Sequence, residues 1–308
     1  MSYKGGKFIW HNGQIVNWDE AKVHVLSHAL HYGSSVFEGI RVYKTPDGLK
    51  IFRLSDHIER LYNSAKIYRM PIPFAEHEII KACKALINDN NLTNGAYIRP
   101  IAFRGYGEIG LAPKDDHPVD VSIAAWEWGT YLGAEALENG VDVCVSSWQR
   151  VAPNTIPTQA KAGGNYLSST LISTEAKRLG FDEGIALSTD GMVSEGAGEN
   201  LFLVKGGTLY TPPASSGILT GITRDTVIKI CLRLGLTVNE QSINRESLYL
   251  ADEMFFTGTA AEITPISSVD RIAIGSGERG PITEQIQSEF FGLFSNKTND
   301  DHGWLESI

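Results

Sequence analysis

Apolar residues recur every three or four positions in some stretches of the chain and crowd into short β-branched and aromatic runs in others. Leu54, Ile58, Leu61, Ala65 and Tyr68 lie at helical spacing, which predicts an amphipathic helix over 53–70, stopped by Pro71 and Pro73. A second helix is predicted over 74–90, with Ile79, Ile80, Cys83, Leu86 and Ile87 facing inward. Residues 8–10 and 15–16 flank Asn12-Gly13, a pair suited to the positive φ angles of a type I′ hairpin. Runs 97–103 and 119–126 read as strands, because β-branched and aromatic side chains pack well on a pleated surface.

The pattern breaks at Glu127-Trp-Gly-Thr-Tyr-Leu-Gly133, where two glycines fall and no periodicity crosses. Residues 128–137 therefore read as the connection between a small N-terminal domain, 1–127, and a larger one, 138–308. The second stretch predicts strands at 141–147 and 183–187, a helix at 165–180 and a hairpin of 200–204 with 208–210. A strongly apolar helix follows at 223–234, then strands at 253–256 and 263–269 and a last helix at 282–294. The polar tail after Ser295 is expected to be frayed or lightly docked. Strands and helices without strict βαβ alternation predict an α+β fold in two lobes.

Charge and composition narrow the function. Lys+Arg number 27 and Asp+Glu 36, a net charge of 27 − 36 = −9 with no basic run. That excludes wrapping nucleic acid or lying on an anionic membrane. With 42% hydrophobic and 20% charged residues the chain is expected to fold, not to be disordered. Cys83, Cys144 and Cys231 are far apart and form no CxxC pair, which excludes a disulfide framework and a cysteine zinc site. The N-terminus lacks the apolar core of a signal peptide, and no apolar run is long enough to span a bilayer; a cytoplasmic protein is expected. Glycine, 31 of 308 residues, exceeds the roughly 7% average and suggests tight turns or close approach of backbone to a ligand.

Several segments offer chemistry. Gly105-Tyr-Gly-Glu-Ile-Gly110 matches GxGxxG, but prolines at 113 and 118 deny it the helix a dinucleotide site needs, so it reads as a loop. His24, His28 and His31 could share a helix face and hold zinc; hydrogen-bonded structural imidazoles are the preferred reading. Residues 31–39 read as a loop able to line a pocket. The Gly221 turn leads into a helix with Thr223 as candidate N-cap, which suits a phosphate or simply a capped helix. Residues 193–200 place Glu195 and Glu199 among small residues, as a ligand-facing or an ordinary acidic turn. Residues 256–262 form another small-residue turn with hydroxyls and amides for an anion. Lys161, beside Gly163-Gly164 and ahead of a helix, is either a surface charge or an amine able to form a Schiff base with a carbonyl cofactor.

Together, residues 153–166, 183–187, 194–202, 221–224 and 258–265 resemble the fold-type IV pyridoxal-phosphate enzymes, and within them the bacterial branched-chain aminotransferases. The resemblance extends to 28–41, 97–100 and 290–295, nearly the whole chain in order. It implies a small α/β N-lobe and a larger C-lobe with a barrel-like sheet, the cofactor lying between them. Lys161 then carries pyridoxal 5'-phosphate covalently, Tyr166 meets its phenolic oxygen, Glu195 pairs with its ring nitrogen and Leu219 packs on the ring. Arg60, Ile222, Thr223, Gly258 and Thr259 surround the phosphate. Phe37, Trp128, Tyr131, Tyr166 and Gly198 line a side-chain pocket; Tyr32, Ile109 and Leu111 reach it from a neighbouring subunit. Tyr97, Arg99, Thr259 and Ala260 take carboxylates. The implied activity is transamination between leucine, isoleucine or valine and 2-oxoglutarate, by a homodimer or an oligomer of dimers, with small molecules as partners and no metal. D-amino-acid aminotransferase and aminodeoxychorismate lyase share the fold, but His31-Tyr32-Gly33 and Tyr97-Ile98-Arg99 favour the branched-chain enzymes. A non-enzymatic binding protein is the remaining class, and Lys161 together with Glu195 argues against it.

Overall fold

The structure, a computed structural model, describes residues 5–129 and 135–308. The chain divides into two units. The first holds the residues up to Trp128 together with Ala160–Gly164 and Asp300–Ile308; the second holds Gly129–Gln159 and Asn165–Asn299. A split of the sequence at 127 and 138 would put Ala160–Gly164 and Asp300–Ile308 in the C-terminal part; in the structure they pack with the first unit. Residues 130–134 of the expected connection, Tyr131 among them, lie outside the described residues.

In the first unit, β1 (Phe8–His11) and β2 (Gln14–Asn17) form the expected hairpin, with Asn12 and Gly13 at φ 48° and 86°. A short helix α1 (His28–Tyr32) ends at Gly33. Then come β3 (Ser35–Phe37), β4 (Ile40–Thr45) and β5 (Gly48–Phe52), none of them predicted; residues 35–37, read as loop, are a strand. The helices α2 (Leu54–Ile67) and α3 (Glu76–Asp89) and the strands β6 (Ala96–Arg104) and β7 (Val119–Trp126) match their sequence patterns closely. Leu54, Ile58, Leu61 and Ala65 of α2 and Ile79, Cys83, Leu86 and Ile87 of α3 are buried against Ile40, Ile98, Val121 and Ile123 of the sheet. Each such branched side chain contributes about 1.5–3 kcal/mol by leaving water. Burial also pushes the Cys83 thiol up to about 12, so it packs as a small hydrophobe.

The second unit opens with α4 (Ala136–Asn139), β8 (Val141–Val145), α5 (Tyr166–Arg178), β9 (Glu183–Leu187), β10 (Val193–Gly196), β11 (Asn200–Lys205) and β12 (Thr208–Thr211). It continues through α6 (Ile222–Arg233), β13 (Val238–Glu240), α7 (Arg245–Tyr249), β14 (Glu253–Gly258), β15 (Glu262–Val269), β16 (Ile272–Ala273) and α8 (Pro281–Phe294). Its nine-stranded sheet runs β10-β9-β8-β15-β14-β11-β12-β13, with β16 on β15. Parallel pairs (β8 with β9 and β15, β12 with β13) mix with antiparallel ones, as an α+β unit without strict alternation requires. Helix α6 begins one residue earlier than predicted. Gly221, not Thr223, is its N-cap, and no side chain caps it. Among the described residues no helix is long and apolar enough to cross a membrane.

The tail is neither frayed nor lightly docked. Strand β17 (Leu305–Ser307) adds to β5 and completes the eight-stranded sheet of the first unit, ordered β17-β5-β4-β6-β7-β1-β2 with β3 on β6. Trp304 is buried, stacked on His302 at 4.4 Å and edge-on to Phe52 at 6.1 Å, with the Arg53 guanidinium 5.4 Å from its ring. The Trp304 carbonyl accepts from Arg53 N at 2.7 Å, and Glu306 Oε1 accepts from Ser55 N at 2.6 Å. A carboxylate at the first turn of α2 satisfies an orphan amide and the helix dipole together. Trp304→Ala should therefore cost about 3–5 kcal/mol of stability, the usual loss for a buried aromatic. Urea unfolding would measure it, and a loss below about 1 kcal/mol would show that the tail is not part of the core.

Candidate active site

In the first unit Lys161 stands on a clamped piece of backbone. Its N–H donates to Ser64 Oγ of α2 at 3.0 Å, its carbonyl accepts from Phe37 N at 3.0 Å, and Ala162 bridges to Val36. The flanking Ala160 and Ala162 are buried, so the lysine is anchored in the core while its ammonium lies 5.2 Å from the centre of the Phe37 ring. Gly163 is required by space. A Cβ there would lie 2.4 Å from Ser35 Oγ.

Next to Phe37, Glu38 is fully buried. Arg60 Nε donates to its Oε1 at 2.6 Å and Arg60 Nη2 to its Oε2 at 2.9 Å; His57 Nδ1 lies 2.7 Å from Oε2. Burial alone would raise the Glu38 carboxyl, but the Arg60 guanidinium and His57 outweigh it and hold it well below the usual carboxylate range. For His57, burial outweighs the pull of Glu38 and lowers the imidazole, with Arg60 and Lys161 adding repulsion. A neutral ring whose Nδ1–H donates to the carboxylate satisfies both groups.

Beyond it, β6 and β7 set Tyr97 directly opposite Trp126. Tyr97 lies 5.3 Å from the Trp126 ring and 5.0 Å from Trp128. Tyr97 and Arg99 share a face of β6, as residues two apart on a strand must. Arg99 Nη2 donates to the Tyr97 hydroxyl at 3.3 Å, and its guanidinium lies 5.0 Å from the Phe37 ring. Arg99 Nε is buried without a hydrogen bond.

The second unit holds a second buried carboxylate. Glu195 is 5% exposed; Arg150 Nη2 lies 2.7 Å from its Oε1, while Leu219 N and Asn200 Nδ2 each donate to Oε2 at 3.1 Å. A register shift between Val193 and Glu195 in the β9–β10 pairing marks a bulge, the local device that re-aims a side chain. Asn200 also donates to the Leu219 carbonyl at 2.8 Å and accepts from Gly221 N at 3.1 Å, at the start of α6, where Ile222 and Thr223 are buried. Gly198 and Gly258 approach closely: a Cβ on Gly258 would lie 3.6 Å from the Gly198 carbonyl. Thr257 Oγ1, just before the turn of Gly258, Thr259 and Ala260, is buried with no hydrogen bond. Tyr166 opens α5 and shares a cavity of about 310 Å3 with Ser169, Glu183, Ala197 and Gly198.

The comparisons with known proteins agree. Residues 35–269 match the family described as Amino-transferase class IV. The chain belongs to the class IV aminotransferases. It is 58% identical over 308 residues to the branched-chain-amino-acid aminotransferase of Escherichia coli (strain K12), covering 100% of this chain and 99% of that one. A crystal structure of the Escherichia coli branched-chain amino acid aminotransferase superposes with a TM-score of 0.97 at 58% identity, over 98% of this chain and 99% of that one. A T.th. branched-chain amino acid aminotransferase with pyridoxamine 5'-phosphate gives 0.94 at 47% identity, over 99% of both chains. The fold-type IV architecture, α+β with a small and a larger lobe, is therefore that of this chain.

Class IV membership puts the predicted residues in context. In the first unit the structure gathers Lys161, Phe37, Arg60, Tyr97, Arg99 and Trp128; in the second it gathers Glu195 with Leu219, links them through Asn200 to Gly221 and so to Ile222 and Thr223, and sets Gly198 near Gly258. Tyr32, Ile109 and Leu111 stand apart as exposed apolar side chains. His28 pins that surface, its ring lying 2.7 Å from Ser34 Oγ and 2.9 Å from the Gly110 carbonyl, and no helix follows Gly110. Sequence reasoning missed Glu38, His57, Arg150 and Asn200. His57, Arg60 and Ser64 at spacings of three and four beside the apolar stripe of α2 were a signal; nothing in the sequence pointed to Arg150.

Glu38→Gln leaves Arg60 without its buried counter-charge and should cost about 3–5 kcal/mol at neutral pH. Because the folded carboxyl is held below its ordinary value of 4.5, its contribution is complete above that pH and is lost as the pH falls towards the folded value. Chemical denaturation across pH should show the gap between wild type and Glu38→Gln closing below pH 4.5. A gap that widened on acidification would contradict an ionised Glu38.

Proposed function

We propose that this chain transfers amino groups between branched-chain L-amino acids (leucine, isoleucine and valine) and 2-oxoglutarate, giving branched-chain 2-oxo acids and L-glutamate, with pyridoxal 5'-phosphate as cofactor. The observation that carries the reading is the 58% identity, sustained over all 308 residues, with the Escherichia coli enzyme.

The donor sets fit that cofactor. Glu195 accepts from a guanidinium and two N–H groups, the bonding of a carboxylate and not of a neutral acid, and suits a protonated ring nitrogen. The start of α6 has no capping side chain, and Thr257 Oγ1 is an unused buried donor; both suit a phosphate. Lys161 would hold the cofactor covalently, Tyr166 its phenolic oxygen and Leu219 one face of the ring. Arg60, Ile222, Thr223 and Thr259 would hold the phosphate. Bound pyridoxal 5'-phosphate supplies an electron-withdrawing ring that stabilises a carbanion at the substrate Cα. Lys161 Nζ is the base that takes the Cα proton. Glu195, ion-paired with Arg150, keeps the ring nitrogen protonated. Arg60, fixed by Glu38, holds its end of the cofactor still, so that proton transfer has one geometry.

Phe37, Trp128, Tyr131, Tyr166 and Gly198 are assigned to the apolar side-chain pocket. Tyr97, Arg99, Thr259 and Ala260 are assigned to carboxylates. Leu30, Tyr32, Tyr106, Ile109 and Leu111 expose apolar surface in α1 and the 105–111 loop. Surface of that kind favours a subunit contact, and so a homodimer or an oligomer of dimers in which Tyr32, Ile109 and Leu111 serve the neighbouring pocket.

Two measurements test the reading. Borohydride reduction of the purified yellow protein should fix the cofactor to Lys161, and Lys161→Ala should abolish turnover of leucine with 2-oxoglutarate; label on another lysine, or turnover of D-alanine instead, would sink it. The second concerns dual recognition. Arg99→Leu should cost on the order of 2–5 kcal/mol in kcat/KM for glutamate and much less for leucine, since only glutamate brings a second carboxylate. Half-reactions followed by cofactor absorbance would decide. Equal losses would assign Arg99 to the shared α-carboxylate or to the fold.

A further inference from the structure

We infer that Asn200 is a positioning residue which fixes the span between Glu195 and the first turn of α6. This inference rests on the pyridoxal 5'-phosphate reading above, in which those two places receive the ring nitrogen and the phosphate. Asn200 is 5% exposed and begins β11, where its backbone pairs with Thr257 of β14. Its side-chain amide is committed in three directions: Nδ2 to Glu195 Oε2 at 3.1 Å and to the Leu219 carbonyl at 2.8 Å, Oδ1 from Gly221 N at 3.1 Å. Both N–H bonds and an oxygen lone pair are thus used, which fixes the amide's orientation without ambiguity.

Each of the two places has its own support without Asn200. Arg150 and Leu219 N hold Glu195, and α6 begins its own hydrogen-bonding with Asp225 N to the Gly221 carbonyl at 2.9 Å. What Asn200 alone adds is the distance between them. Gly221 gives independent support. Its φ of −70° is open to any residue, yet a Cβ there would lie 2.1 Å from Asn200 Oδ1. The glycine is needed because the amide comes so close.

A rigid ligand with a cationic nitrogen at one end and a phosphate at the other binds as a two-point tether. Its affinity exceeds that of either half only while the two anchors stay at the matching separation. A residue that sets the separation should therefore matter for the whole ligand and little for its parts. A residue that merely supports the fold should affect the parts as much as the whole.

Cofactor-free full-length protein, titrated by calorimetry, tests this with three probes: pyridoxamine 5'-phosphate, pyridoxamine and inorganic phosphate. Pyridoxamine 5'-phosphate has no carbonyl, so its binding does not involve a covalent bond to Lys161. Asn200→Ala should weaken it by about tenfold or more, while pyridoxamine and phosphate each change by less than about threefold. Gly221→Ala, which crowds the amide from the other side, should give the same pattern and carries the test if Asn200→Ala does not fold. Unchanged binding of pyridoxamine 5'-phosphate in the folded variants, or equal losses for all three probes, would overturn the positioning role. Failure of the wild-type protein to bind pyridoxamine 5'-phosphate would instead overturn the cofactor reading, and this inference with it.

Discussion

The second unit is arranged around a charge that water barely reaches. Glu195 is 5% exposed, and removing a carboxylate from water costs several kcal/mol unless its lone pairs are met. Arg150 supplies the counter-charge at 2.7 Å; Leu219 N and Asn200 Nδ2 supply the remaining donors. Those requirements propagate. Leu219 N must face Glu195, so residues 218–221 are held by Gln159, whose Nε2 donates to the Ile218 carbonyl and whose Oε1 accepts from Thr220 Oγ1. The bulge in β10 aims Glu195 inward, while Ser194 Oγ donates to the Ser216 carbonyl at 2.7 Å. One buried anion therefore orders the end of a strand, a loop and the start of a helix.

The first unit solves the same problem differently. Glu38 is met by two side chains from one helix, His57 and Arg60, three apart on α2. Residues three apart share a helix face, so one element satisfies the whole carboxylate. Ser64, one turn further along α2, accepts the Lys161 N–H, and Phe37 N donates to the Lys161 carbonyl. The chain carrying Glu38 and the chain carrying Lys161 are thus referred to a common helix. That helix is itself tied at its first turn by Glu306 from the tail. Rigidity around the lysine comes from these backbone and helix contacts.

How much of this was legible follows from the range of the interactions. Helices α2, α3, α5, α6 and α8 were readable because burial on one face leaves a period in the sequence. Strand β4 was not. Ile40, Arg41 and Val42 are all buried, so both faces are covered and the alternation that marks a strand is lost. Strand β17 is too short for any period. Within the site, Lys161 and Glu195 could be proposed because each sits among small residues in a motif that resembles a known family. Arg150 could not. It meets Glu195 across 45 positions of chain, a pairing no local spacing encodes. Asn200 was visible only as the end of an acidic turn; its reach to Leu219 and Gly221 exists only in the folded sheet.

The glycine excess, which suggested turns or a ligand beside the backbone, has a third cause at the places that matter most. Gly39, Gly163 and Gly221 have ordinary negative or extended backbone angles, so none is needed for a left-handed turn. At each, a Cβ would collide with a polar side-chain atom: the Tyr97 hydroxyl at 1.8 Å, Ser35 Oγ at 2.4 Å and Asn200 Oδ1 at 2.1 Å. Those three partners belong to the aromatic cluster of β6, the seat of Lys161 and the link from Glu195 to α6. Polar groups buried at close quarters need short, well-aimed hydrogen bonds, and short bonds to a neighbouring strand or helix leave no room for a methyl group. The missing side chains are therefore part of the polar networks. They let a hydroxyl or amide approach the backbone closely enough to hold the charged residues of each unit in a single arrangement.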